Sequence, residues 1–75
     1  DTVDLHFART LKRLRKAKGL TQENLAQRSG VDYKYLQKLE GHNPSSPTLS
    51  TLAKLAKGLG VPLADLVSFE EQHDQ

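Results

Sequence analysis

Seventy-five residues without a cysteine make one small domain, whose core is too small for a buried catalytic cavity beside a binding surface, and exclude a disulfide framework or a thiolate metal site. A reducing cytoplasm suits this cysteine-free composition; no apolar run approaches the roughly 20 residues that span a bilayer, and no signal peptide is visible. Formal net charge is only +2, yet all 11 Lys and Arg lie between Arg9 and Lys57, where between Leu5 and Gly60 they meet only Glu23, Asp32 and Glu40; such a segregated field attracts a polyanion even at low total charge.

In chain order, Leu5 to Lys18 spaces Phe7, Leu11 and Leu14 at i, i+4 and i+7 with Ala8 beside them, which predicts a helix burying one stripe, with Asp4 as its cap. Its other faces carry Arg9, Lys12, Arg13, Arg15, Lys16 and Lys18. Cations near a helix end favour its dipole, so part of this cluster has a structural reason. Another part, Arg13 included, is expected to reach phosphates if the chain docks on a nucleic acid. Thr21 predicts the N-cap of a second helix carrying Leu25 and Ala26, and Gly30 ends it, since a left-handed residue after the last turn costs glycine little. Asp32 caps a third helix that runs to Glu40. There Leu36 and Leu39 fall on one side, while Tyr33, Lys34, Gln37 and Lys38 fall on the other, and nothing apolar explains that outer face.

The six residues HNPSSP, from His42 to Pro47, read as a loop. Thr48 caps a fourth helix with a wide apolar face of Leu49, Leu52, Ala53, Leu55, Ala56 and Leu59, closed by Gly60. Pro62 suits the first position of a last short helix bearing Leu63, Leu66, Val67 and Phe69. Two readings of these side chains stay open: they complete the core, or Leu66, Val67 and above all Phe69 form a two-fold dimer contact. Residues 70–75 are polar, charged and terminal, and are expected to fray.

Two helices joined by a short turn, the second one polar outside, form the helix-turn-helix arrangement that lays its second helix in the major groove of DNA. The third helix, about 13 Å long at about 1.5 Å per residue, matches a groove roughly 12 Å wide. The run Gly19-Leu20-Thr21-Gln22-Glu23, then Leu25-Ala26, Gly30-Val31, Tyr35-Leu36, Leu39-Glu40 and Gly41, resembles the phage-repressor and Cro-type (XRE-like) helix-turn-helix family. The likeness continues through Leu49, Leu52-Ala53, Ala56 and Leu59-Gly60-Val61 and covers most of the chain. It implies an all-α fold: a compact five-helix, lambda-repressor-like DNA-binding domain over residues 1–75, with the helix-turn-helix at 21–40.

Carried over position by position, the resemblance places base reading at Tyr33, Lys34 and Lys38, with Gln37 nearby. Lys donates to guanine O6 and N7, Gln pairs with adenine, and a Tyr ring packs on a thymine methyl. Gln22, at the start of the second helix where free N–H groups and the positive dipole end attract phosphate, is by resemblance a phosphate clamp. His42 and Asn43 are further phosphate donors, in a loop longer than the commoner family pattern by about two residues. Tyr35 either packs its ring on the preceding helix and turns its hydroxyl to a phosphate, or is a plain core aromatic. Arg15 and Glu40 are, by resemblance, a structural ion pair tying the first helix to the end of the third.

The expected function is sequence-specific binding of double-stranded DNA as a transcriptional regulator and homodimer, its two third helices meeting half-sites about 34 Å apart. The pattern looks most like short regulators such as restriction-modification controller proteins, and phage repressors and antitoxins share it. Enzymatic chemistry is disfavoured: His6, His42 and His73 have no spacing that gathers them with carboxylates, and no Gly-rich phosphate loop or serine elbow is present. No cofactor, metal or small-molecule effector is implied. The alternative is a protein-interaction module, antitoxin-like or coactivator-like, using the same fold. An opening at Asp1 without Met fits trimming at the front.

Overall fold

The computed structural model describes residues 2–42 and 44–69. Five helices follow one another with no strand among these residues: α1 (Thr2–Ala17), α2 (Gln22–Ser29), α3 (Tyr33–Leu39), α4 (Leu49–Leu59) and α5 (Leu63–Leu66). The all-α, five-helix expectation holds. Asn43 and the 70–75 tail, named above as a phosphate donor and as frayed, lie outside the described residues.

Cap chemistry decides where the central helices begin and end. Thr21 Oγ1 accepts from the Asn24 amide at 3.0 Å, and Asn24 Oδ1 accepts from the Thr21 amide at 3.3 Å, so two orphan donors of α2 are satisfied reciprocally. Gly30 ends α2 at φ +74, its N–H bonded to the Ala26 carbonyl at 2.9 Å. Asp32 then accepts from the Tyr35 amide at 3.1 Å and starts α3, so the turn between the helices is residues 30–32. Val31, buried in the middle of that turn, anchors it to the core.

One apolar cluster lies behind the turn. Leu11 of α1, Leu25 of α2, Leu36 and Leu39 of α3, Leu55 of α4 and Leu66 of α5 are all fully buried in it. Each helix therefore contributes at least one leucine to the same core, which fixes the position of α3 against the other four. Helices α2 and α4 pack tightly because residue 58 is glycine: a Cβ there would lie 2.8 Å from the Ser29 Cβ and 3.0 Å from its Cα. Arg28 closes the same crossing, its Nε donating to the Gly58 carbonyl at 2.8 Å.

Four expectations change. Helix α1 starts at Thr2, upstream of Leu5, and Asp4 is no cap: it sits inside the first turn, where an acid favours the dipole, and accepts from Ser46 Oγ at 2.8 Å. Leu49, expected in the apolar face of α4, is 71% exposed, and Ala53 one turn later is exposed with it. They share the outer side of the helix, so the buried stripe is the narrower Leu55, Ala56 and Leu59, with the half-buried Leu52 at its edge. Pro62 is the N-cap of α5 and not its first residue, and α5 ends at Leu66, leaving Val67 and Phe69 beyond it. Leu66 itself is fully buried within the chain, so it serves the core and is not available as a dimer contact.

Candidate nucleic-acid interface

The outward face of α3 is built from four side chains that the leucines leave over. Tyr33, Lys34, Gln37 and Lys38 are all exposed, while Leu36 and Leu39 behind them are fully buried. Spacing divides the four into two rows, Tyr33 with Gln37 and Lys34 with Lys38, each pair one turn apart. In the first row Gln37 Nε2 donates to Tyr33 Oη at 3.2 Å. That bond holds an aromatic ring and an amide side by side beside two cations. Tyr35, on the flank of the helix, is half-buried and packs against the apolar cluster.

At the other end of α3 the chain crosses back to α1. Glu40, the residue that closes α3, is buried, and its carboxylate accepts three hydrogen bonds: from Arg15 Nε at 2.7 Å on one oxygen, and from Arg15 Nη2 at 2.9 Å and Gln22 Nε2 at 3.0 Å on the other. The third branch of the guanidinium, Nη1, donates to the Leu20 carbonyl at 2.8 Å. A two-pronged pair of this kind has its desolvation cost offset by satisfied lone pairs and donors. Through it, the start of α2, the end of α1 and the end of α3 are fixed to one another.

Gln22 is the first residue of α2, and it is half-buried because its amide lies on Glu40. Arg13 is exposed on α1. His42 is exposed just past α3 and lines a cleft of about 290 Å³ together with Arg9, Lys12 and Glu40. So the structure sets His42 beside two cations of α1 that the sequence does not single out. The signal that could have found them is the helical register: Lys12 lies three residues before Arg15, on the side of α1 that faces the end of α3. Asn24, Arg28 and Gly58 escaped the sequence reading as well. Asn24 stands where a capping box more often carries Glu or Gln, and the Arg28–Gly58 contact joins residues 30 apart in the chain.

The chain matches the helix-turn-helix family HTH_3 over residues 11–66. It belongs to that family. The HTH-type transcriptional regulator SutR of Escherichia coli is 44% identical over 59 residues, which cover 79% of this chain and 33% of that protein. The helix-turn-helix domain therefore spans about a third of the length of that relative. A second relative, the uncharacterized HTH-type transcriptional regulator y4dJ of Sinorhizobium fredii, is 48% identical over 56 residues, covering 75% of this chain and 71% of the other. Among solved structures, the restriction-modification controller protein C.AhdI of Aeromonas hydrophila superposes with a TM-score of 0.83 at 35% identity, covering 88% of this chain and 98% of its own. The expected likeness to the XRE-type family and to controller proteins is thereby met.

Proposed function

We infer that this helix-turn-helix domain binds double-stranded DNA sequence-specifically in transcriptional regulation, with α3 in the major groove and two copies acting together as a homodimer. The observation that carries the reading is the wet face of α3: an aromatic, an amide and two lysines held outward by the fully buried Leu36 and Leu39. Lys34 and Lys38 offer donors to guanine edges, and the bonded pair Tyr33 and Gln37 offers a ring for a thymine methyl and an amide for adenine. Gln22, His42 and Arg13 take the phosphate contacts that set the register of the helix in the groove without reading sequence. Tyr35 lends its ring to the core, with its hydroxyl toward the backbone of the duplex.

The homodimer is supported by exposed apolar surface at the end of the chain. Val67 is 49% exposed and lines, with the half-buried Phe69, an apolar cleft of about 240 Å³. A two-fold contact through this surface spaces two copies of α3 to meet successive major grooves about 34 Å apart. Selection of bound sequences from a pool of random duplexes tests the whole reading. A two-fold repeated motif is the expected outcome; recovery of no motif, together with negligible duplex binding at about physiological salt, would instead favour the protein-interaction module.

A further inference from the structure

We propose that Glu40 is a positioning residue for DNA binding: it fixes the amide of Gln22 so that one N–H lies on the carboxylate and the other is presented to a phosphate. The proposal rests on the reading of Gln22 as a phosphate contact. A glutamine amide has one carbonyl oxygen and one nitrogen with two hydrogens, and on an exposed helix end it rotates freely between them. Here the rotation is broken. The Glu40 oxygen that accepts from Gln22 Nε2 at 3.0 Å repels the amide carbonyl, so the nitrogen faces inward and its second hydrogen points away from the carboxylate. A carboxylate beside a phosphate path is by itself unfavourable for DNA. Arg15 removes that objection, because Nε and Nη2 neutralise both oxygens of Glu40 at 2.7 and 2.9 Å. The ion pair thus does more than join α1 to α3: it lets a negative group orient a neutral donor next to a polyanion. Ordering the amide before DNA arrives also removes part of the entropy that binding must otherwise give up.

The test has two readouts. Without DNA, nuclear-magnetic relaxation of the side-chain amides should show Gln22 Nε2 restricted and the exposed Gln27 mobile, with Gln22 becoming as mobile as Gln27 in Glu40→Gln. With a selected duplex, a double-mutant cycle should show Gln22→Ala weakening binding about tenfold in the wild-type chain but less than about twofold in Glu40→Gln. A purely structural Glu40 predicts additive losses, and that result overturns the proposal. If Glu40→Gln no longer melts cooperatively, the wild-type amide decides alone: mobility equal to that of Gln27 overturns it. Absence of any duplex binding by the wild-type chain overturns the DNA reading, whereas binding with additive losses overturns only the role of Glu40.

Discussion

Arg15 and Arg13 lie two residues apart on α1, yet one is buried against Glu40 and the other is exposed. Truncating Arg15 leaves a carboxylate whose side chain is 1% exposed with only the Gln22 amide for company. Removing one partner of a buried pair costs about 3–5 kcal/mol, whereas an exposed surface change stays within about 0.5 kcal/mol. Thermal melting should therefore show Arg15→Ala strongly destabilised and Arg13→Ala close to wild type; equal melting temperatures would defeat the assignment. The outer residues of α3 divide differently. Lys34→Ala or Lys38→Ala should relax base preference in a competition among duplexes, while Gln22→Ala should weaken all duplexes alike. Uniform losses from the lysine variants would mean that they hold the backbone and read nothing. The exposure of Tyr33, Lys34, Gln37 and Lys38 was legible because a helix without an apolar reason for its outer face declares it in the sequence. The third bond of Glu40 was not legible: a hydrogen bond between residues 22 and 40 depends on how α2 and α3 cross, which local pattern does not encode.

Helix α2 packs against both α3 and α4, and its crossing with α4 admits no side chain at residue 58. Gly58→Ala sets two effects against each other. Alanine in a helix interior is better than glycine by about 1 kcal/mol. Its Cβ, however, would meet the Cβ, Cα and backbone nitrogen of Ser29 at 2.8, 3.0 and 3.1 Å, and Ser29 is buried, its hydroxyl bonded to the Leu25 carbonyl at 2.7 Å. Overpacking against backbone costs about 1–3 kcal/mol. The clash should win, lowering the melting temperature by several degrees, about 4–8 °C per kcal/mol in a domain of this size. A melting temperature at or above wild type would show that the two helices separate easily. At this scale the caps Thr21, Asp32 and Thr48 and the stop at Gly30 were written locally and could be read. The failures were the start of α1 with its supposed cap at Asp4, Leu49, and the limits of α5. Leu49 is the first residue of its helix, where one turn of periodicity cannot say which side faces in, and α5 is too short for any period to establish itself.

Whether two copies act together is a property of the whole molecule, and salt measures it. Each phosphate neutralised by a cation releases condensed counterions, so log affinity falls with log salt at about −0.9 per phosphate. If one copy neutralises about three phosphates through exposed cations of α1 such as Arg9, Lys12 and Arg13, its slope is about −2.7 and that of a dimer about −5.4. Val67 is exposed, outside α5 and remote in sequence from α3, so Val67→Asp places a charge in the proposed contact without touching the core leucines. Sedimentation should then report a monomer where the wild-type chain sediments as a dimer. On a duplex carrying both half-sites, the variant should bind more weakly and with about half the salt slope, because it loses the partner's cations along with its contacts. The half-site affinity should stay unchanged, since α3, Gln22 and Glu40 are all left in place. A wild-type chain that sediments as a monomer, or a variant that keeps the full slope, would put the second copy elsewhere or remove it from the mechanism. A flat salt dependence in both would remove the phosphates instead and turn the wet face of α3 toward a protein.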